Sequence, residues 1–202
     1  MFRSSVPGIA RRPAALTALV AAALLIPSVT AAQAHRHGMD TIIATPSVAP
    51  GIPRSLGEEH VALHARLVAA TKAPGKVGEA ARAVGAVLYP HFVREEQIAL
   101  PPLGLLRALA EGRAPQDAAA VLPMTDSLRA ELPAMLTEHM AIGVALQRLE
   151  RAAKDAGRPE IERLAADIRL HALTEEEVLY PAAVLVGDLV RARVTRSVRA
   201  GP

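Results

Sequence analysis

Two stretches of the chain place a histidine four residues before a glutamate. One is HFVREEQIALP, which contains His91 and Glu95, and the other is HALTEEEVLYP, which contains His171 and Glu175. On an α-helix, positions i and i+4 lie on one face about 6 Å apart along the axis. Each histidine can therefore converge with its glutamate on one point.

A second motif repeats with nearly the same offset. Glu59-His60 is mirrored by Glu138-His139, and the offset between these pairs is only one position shorter than the offset between the two longer stretches. The sequence therefore predicts a duplicated helical hairpin, in which each copy carries Glu-His on one helix and His-x-x-x-Glu on the next.

These residue types indicate a metal site. The chain has no cysteine, so any metal must be held by nitrogen and oxygen. Four imidazoles and two carboxylates suit iron or manganese, and carboxylates in a bundle interior can bridge two ions. A single His-x-x-x-Glu is usually an exposed ion pair, but four of the seven histidines fall in this repeated pattern. We therefore expect a dinuclear centre of iron or manganese.

Helical signals begin after a proline-containing linker. Ser55 and Glu58 fit a capping box that would start a first helix ending near Lys72. A second helix is expected from about Gly78 to the proline pair at 101–102, with an irregular continuation to residue 111.

The other two helices follow a longer connection, residues 112–124. Thr125 or Asp126 would cap the third helix, which ends at Gly157, and Pro159 would start a fourth that reaches about Leu189. Prolines at positions 90 and 133 could kink the second and third helices. The sequence contains no strand signal. Residues 55–190 are thus predicted to form an all-α, antiparallel up-down four-helix bundle built from two duplicated hairpins.

Residues 1–34 have the pattern of a signal peptide. A basic start precedes the apolar run AALTALVAAALLI, and an A-x-A site ends at Ala34. The run is shorter than the roughly 20 residues of a membrane span, so we expect export without a span in the mature chain. Residues 35–54 would be an extended linker. The alternative is a true start at Met39 and a cytoplasmic product.

Charge does not indicate a nucleic-acid partner. The formal net charge is +3, and residues 1–34 hold three arginines and no acid, so the rest of the chain is neutral. The predicted basic tail, residues 191–202, contains four arginines without interleaved aromatic residues. A solvated tail is therefore expected.

The motifs resemble those of the hemerythrin-like, or HHE cation-binding, domain over about residues 55–190. The resemblance implies a four-helix bundle with a non-haem di-iron centre, and roles in dioxygen binding, in iron or oxygen sensing, or in handling nitric oxide and damaged iron centres. It also implies terminal histidine ligands and two bridging glutamates. The implied set is His60, His91, His139 and His171, with Glu95 and Glu175 as bridges.

The chain differs from the oxygen-carrying hemerythrins at two places. Met135 stands where those proteins have a fifth histidine, and the fourth helix carries His-x-x-x-Glu where they have His-x-x-x-x-Asp. His64, one turn after His60, is either a fifth ligand or a pocket residue. Tyr180 is expected in the core with its hydroxyl at the rim, and Glu96 and Glu176 are expected outside the ligand set.

Three functions stay open at this stage. The first is an exported di-iron protein that binds iron and a diatomic ligand, oxygen or nitric oxide, for sensing, storage or iron handling. The second is a di-iron enzyme that turns over oxygen, peroxide or nitric oxide. The third is a helical interaction protein without metal. The sequence does not separate the first two.

Overall fold

The computed structural model describes residues 51–113 and 115–200. The elements in chain order are α1 (Arg54–Thr71), α2 (Gly75–Ile98), a 3-10 helix (Pro101–Leu105), α3 (Leu106–Ala110), a second 3-10 helix (Ala118–Val121), α4 (Leu122–Asp155), α5 (Pro159–Thr174), a π-helical segment (Glu175–Leu179) and α6 (Tyr180–Ala200). The last three are contiguous, and together they are called the fourth long helix.

The described residues contain helices and no strands, which confirms the predicted all-α class. Their long helices are α1, α2, α4 and the fourth long helix, and this set is consistent with a four-helix bundle. The longer connection between α2 and α4 contains the two 3-10 helices and α3. The antiparallel order and the duplication stay predictions.

The predicted capping box at the start of α1 is wrong. The helix begins at Arg54, directly after Pro53, and no side-chain hydrogen bond caps it. Ser55 therefore lies inside the first turn, and Glu58 instead pairs with Arg54 at 2.7 Å. Ile52 is buried against the bundle, so the end of the predicted linker packs on the core.

Three other helix ends differ from the prediction. Helix α2 begins at Gly75, whose positive φ of 63° suits a glycine after Pro74. Helix α4 begins at Leu122, because a 3-10 helix leads into it and the Thr125 hydroxyl bonds back to the Leu122 carbonyl instead of capping. Helix α6 continues to Ala200, well past the predicted end. Helices α2 and α4 run through their internal prolines.

Two apolar clusters fill the bundle on either side of a polar layer. The larger cluster includes Leu63, Leu88, Ile142 and Ile168. The other cluster contains Ile52, Ile98, Met135 and Tyr180. On α1, α4 and the fourth long helix the site residues fall in sequence between these two sets, and on α2 Glu95 does so while His91 adjoins Phe92 of the larger cluster. The predicted ligands therefore occupy a buried layer with apolar side chains both above and below it.

Predictions for the amino-terminal segment lie mostly outside the described residues. The predicted signal peptide, residues 1–34, and the linker up to residue 50 are in this part of the chain. Among the helices that the structure describes, none combines the length and the apolar character needed to cross a membrane.

Candidate metal centre

The four histidines of the repeated pattern enter the polar layer from four long helices. His60 lies on α1, His91 on α2, His139 on α4 and His171 on α5, and all four are buried. Each falls on the buried stripe of its helix, because apolar residues precede and follow it at helical spacing. The helical period thus directs four imidazoles toward one place.

The carboxylate of Glu175 divides its two oxygens between different histidines. Its Oε1 lies 2.9 Å from His171 Nε2 and 3.5 Å from His60 Nε2. Its Oε2 lies 3.5 Å from His139 Nε2. Since the side chain is almost completely buried, these imidazoles are its principal polar surroundings.

Glu95 divides its oxygens in the same way. Its Oε1 lies 3.3 Å from His91 Nε2, and its Oε2 lies 3.9 Å from His60 Nε2. Both carboxylates therefore face two pairs of imidazoles, called here the His91/His139 side and the His60/His171 side. The structure brings all six predicted residues together, and their role as ligands stays a prediction.

Several buried atoms of this layer fit a metal ion. His91 Nε2 and His139 Nε2 lie only 2.7 Å apart, so a proton or a cation must separate their lone pairs. His171 Nε2 and Glu175 Oε1 are close but do not form a hydrogen bond. Buried atoms of the site without a hydrogen bond among the described residues are His60 Nε2, His171 Nε2, Glu95 Oε2 and both carboxylate oxygens of Glu175. Unpaired buried polar atoms are costly, and coordination would satisfy them.

The candidate ligand atoms form two overlapping groups with metal-binding spacing. Within each group the atoms lie within 4.8 Å of one another. The groups are His91, Glu95, His139 and Glu175 on one side, and His60, His171 and Glu175 on the other. Nitrogen and oxygen donors without sulfur fit iron, as the sequence predicted.

The carboxylates shift the histidine pKa values upward. Burial acts to lower the pKa of His60, but the adjacent Glu175 and Glu96 outweigh it and raise the value to about 9. Burial likewise acts on His91, and Glu95 outweighs it, which raises the pKa to about 9. Metal-free protein therefore carries protons on these imidazoles at neutral pH, and a bound metal ion would have to displace them.

The two carboxylates shift in opposite directions. Burial and the charge of Glu175 raise the pKa of Glu95. Burial acts the same way on Glu175, but its contacts with His139 and His171 outweigh it and hold its pKa well below the usual range. Without metal, Glu175 therefore keeps its negative charge to a lower pH than Glu95 does.

Tyr180 lies in the core as predicted, but the predicted position of its hydroxyl at the rim is wrong. Its side chain is completely buried, and its hydroxyl donates a 2.5 Å hydrogen bond to Glu95 Oε1 instead of lying at a rim. The same oxygen lies 3.4 Å from His91 Nε2 and 3.3 Å from His139 Nε2. Burial, followed by the charge of Glu95, raises the phenol pKa far above its usual range, so a neutral hydroxyl lines the His91/His139 side.

The π-helical segment explains why Tyr180 reaches the site. On a regular α-helix, a residue five positions after Glu175 would be turned about 140° away from it. Here the Tyr180 N–H donates to the Glu175 carbonyl, and this i to i+5 bond stacks the two residues on one face. A helical period of 3.6 residues does not predict this placement.

The His60/His171 side has an aromatic lining instead. Phe92 stacks on His60 at 4.1 Å between ring centroids and meets His171 edge-on at 5.5 Å. His64 is buried one turn along α1, where its ring lies 5.7 Å from Tyr89. His64 is not part of either ligand group found among the described residues.

Three other residues bear on the sequence expectations. Met135, at the position where oxygen carriers have a fifth histidine, is buried in the apolar cluster that contains Tyr180. Glu96 and Glu176 each contact the Nδ1 atom of a histidine, which places them outside the two ligand groups, as expected.

The helical fold and this buried cluster of histidines and glutamates fit a metal-binding bundle. The hemerythrin HHE cation binding domain matches residues 54–183. The chain therefore belongs to the hemerythrin HHE cation-binding domain family. No curated protein and no solved structure matches it. The family and the buried cluster together indicate iron as the metal.

Proposed function

We propose that the protein is an exported non-haem di-iron protein that binds a diatomic ligand, oxygen or nitric oxide, in sensing, storing or handling iron. The observation that carries this proposal is the division of the Glu95 and Glu175 oxygens between two histidine pairs. A carboxylate that offers one oxygen to each pair is arranged to bridge two ions. Each pair of histidines would complete one of the two positions.

Bound iron would supply redox chemistry and open coordination positions for the small ligand. The chain provides the imidazole and carboxylate donors and encloses them between two apolar clusters. That enclosure limits access of water to the polar layer. Four histidines and two glutamates are fewer donors than an oxygen carrier holds, which favours iron sensing or iron-centre repair over reversible oxygen carriage.

We also propose the finer architecture that the repeat predicts. Only three residues, 72–74, connect α1 to α2, and only 156–158 connect α4 to α5. Connections this short favour antiparallel neighbours. Together with the nearly equal offsets of the two repeated motifs, they support an up-down bundle of two duplicated hairpins.

Export rests on the sequence of residues 1–34 alone. Cleavage of the A-x-A site would produce a mature chain that begins at His35, in the periplasm or outside the cell. Mass spectrometry of the native protein tests this location. A chain that begins at Met39 would instead indicate a cytoplasmic product.

A di-iron enzyme is the second candidate, and the Tyr180 hydroxyl is the observation that favours it. This hydroxyl bears a proton beside Glu95 and two imidazoles, within a buried layer. It could therefore donate a hydrogen bond to a reacting oxygen or nitric oxide.

Metal analysis and gas reactions of purified protein test these functions. We expect about two iron ions per chain after loading with ferrous iron. A reversible spectral change of the reduced protein with oxygen or nitric oxide would support binding, and consumption of gas over many cycles would support the enzyme. Binding of clearly fewer than two ions would contradict the dinuclear proposal, and a folded chain that binds none would support a metal-free interaction protein.

A further inference from the structure

Each of the four site histidines points its Nδ1 atom away from the buried carboxylates Glu95 and Glu175, and this Nδ1 contacts another carboxylate. None of these carboxylates belongs to the six predicted ligands. The pairs are His60 Nδ1 with Glu96 at 3.2 Å, His91 Nδ1 with Glu138 at 2.7 Å, His139 Nδ1 with Glu176 at 2.8 Å and His171 Nδ1 with Glu59 at 3.4 Å. The Nε2 atoms of the same histidines all face the buried carboxylates.

The four pairs connect the four long helices in a closed ring of contacts. The histidine of α1 pairs with a glutamate of α2, the histidine of α2 with one of α4, the histidine of α4 with one of the π-helical segment, and the histidine of α5 with one of α1. Each long helix thus provides one histidine and one outer glutamate. We call Glu59, Glu96, Glu138 and Glu176 the outer carboxylate ring.

The sequence motifs account for this ring of contacts. Each outer glutamate is a chain neighbour of a predicted ligand: Glu59 and Glu138 precede histidines, and Glu96 and Glu176 follow the two buried glutamates. Adjacent helical residues differ in direction by about 100°. When the ligand faces the interior, its neighbour therefore faces sideways, toward the adjacent helix. Each repeated Glu-His or Glu-Glu pair therefore provides one predicted ligand and one member of the outer carboxylate ring.

A carboxylate can only accept a hydrogen bond, so Nδ1 is the donor in the three pairs that are hydrogen bonds, those of His60, His91 and His139. The fourth pair, His171 Nδ1 with Glu59, is an ion-pair contact. In a neutral imidazole, a proton on Nδ1 leaves Nε2 unprotonated and able to bind a metal. The same contacts also limit rotation of the imidazole plane. A histidine without its outer partner could adopt the other tautomer or turn away from the layer.

We propose that the outer carboxylate ring is a set of positioning residues, which holds all four imidazoles with Nδ1 outward and Nε2 toward the interior, and which favours the metal-binding tautomer once the Nε2 proton has left. This inference rests on the proposed di-iron function for its effect on iron, although the tautomers can be measured without iron. The outer glutamates are partly exposed, from 22% for Glu96 to 52% for Glu138, so solvent screens their charges. They therefore act mainly by orienting the imidazole rings, and less by the attraction of their charges.

The run Glu175-Glu176-Glu177 offers a matched test at adjacent positions. Glu176→Ala removes the acceptor of His139 Nδ1, whereas Glu176→Gln keeps an amide oxygen that can accept the same hydrogen bond. Glu177→Ala, at an exposed position of the same segment, is the control. A second set, Glu59→Ala with Glu58→Ala as its control, repeats the test on α1, and circular dichroism confirms that each variant is folded.

Competition with a chelator measures iron retention. Loss of an outer partner of a metal-bound histidine typically weakens metal binding about 10- to 100-fold. We expect a loss in this range for Glu176→Ala and Glu59→Ala, a clearly smaller loss for Glu176→Gln, and wild-type retention for both controls. Equal retention in wild type, Glu176→Ala and Glu59→Ala would overturn the role of the ring in iron binding.

Nitrogen NMR of the imidazoles gives a measurement that needs no metal. Spectra of metal-free protein are recorded over a pH series that extends well above 9, until the imidazoles are neutral, because the neighbouring carboxylates raise the pKa of His139 and raise the pKa values of His60 and His91 to about 9. We expect the Nδ1–H tautomer for His139 in wild type and in Glu176→Gln, and loss of that preference in Glu176→Ala. An unchanged spectrum in Glu176→Ala would overturn the positioning role. If the tautomers respond but wild type binds no iron, the positioning role stands and the proposed di-iron function fails.

Discussion

The two sides of the candidate metal centre use the same ligand types but have different linings. On the His91/His139 side, the hydroxyl of Tyr180 lies within 3.4 Å of both imidazole Nε2 atoms. On the His60/His171 side, Phe92 stacks against His60 at 4.1 Å. One ion would therefore lie beside a hydrogen-bond donor and the other beside an apolar ring, so the two positions are chemically unequal.

The repeat shows where this inequality comes from. When the stretch from His91 is aligned with the stretch from His171, Tyr180 corresponds to Leu100 and Phe92 corresponds to Ala172. Leu100 donates its N–H to the Glu95 carbonyl, as Tyr180 does to Glu175, so the two residues hold the same backbone position relative to a site glutamate. The predicted ligands match across the repeat, whereas the residues that surround them do not.

Removal of a shared carboxylate should have the largest effect. Glu175→Ala removes one carboxylate oxygen from the His60/His171 side and one from the His91/His139 side. We therefore expect the chain to retain at most one loosely held iron. The loss of affinity should exceed the roughly 100-fold upper range for outer partners. Glu95→Ala should also lower the stoichiometry below two, because its oxygens face both sides as well. Titration with ferrous iron measures both variants.

Glu177→Ala is the control for this titration, since it lies two residues from Glu175 at an exposed position. It should bind iron as wild type does. Two tightly bound ions in Glu175→Ala would show that this carboxylate does not bridge the two sides, and the proposed ligand set would then be wrong.

Tyr180→Phe should alter one ion and leave the other nearly unchanged. The phenyl ring keeps the packing of the side chain, but Glu95 Oε1 loses its hydrogen-bond donor. Mössbauer spectroscopy of iron-loaded protein should show two iron environments in wild type, of which one changes in the variant. Since a buried acceptor left without its partner costs about 1–3 kcal/mol, denaturant unfolding of metal-free protein should show a loss of this order.

Tyr89→Phe is the matched control, because Tyr89 lies beside His64 on the other side. It should leave both iron environments as they are in wild type. If Tyr180→Phe changes both environments equally, the two sides are more alike than their linings indicate.

Phe92→Leu should have a smaller effect, on the opposite side. Phe92 is buried in the larger apolar cluster, and leucine fills most of its volume, so the free energy of unfolding should fall by about 1 kcal/mol. His60 loses a stacked partner and should hold its ion less firmly. Release of iron to a chelator should then become faster for one ion only. A change in the same Mössbauer component that Tyr180→Phe alters would contradict this assignment of sides.

The helical content and the convergence of six residues could be predicted from the sequence, because both depend on a regular helical period. His91 and Glu95 share a face for this reason, and both are buried as expected. Helix ends were less predictable. Threonine is a common helix cap, yet the Thr125 hydroxyl donates to the Leu122 carbonyl inside a helix that has already begun.

Tyr180 shows a second limit of the sequence. Its position depends on one i to i+5 backbone hydrogen bond, and the pattern of apolar residues does not reveal such a bond. The sequence also does not reveal two of the four members of the outer carboxylate ring, Glu59 and Glu138. Glu59 and Glu138 were visible only as neighbours of histidines, and their partners lie on other helices. Pairings between helices depend on packing, which a single helical period does not specify.

The smallest effect is expected for His64→Leu, which tests the last difference between the two sides. Only the His60/His171 side has another buried histidine one turn from a predicted ligand, among the residues that the structure describes. The ring of His64 lies beside Tyr89, and His64 is absent from both ligand groups of the described residues. A leucine of similar size should therefore leave the stoichiometry at two ions and change iron retention by a factor of about 3 or less, below the range for outer partners. Iron titration and chelator competition measure both quantities. A fall to one ion would make His64 a ligand, and the His60/His171 side would then hold its ion with one more nitrogen than its counterpart.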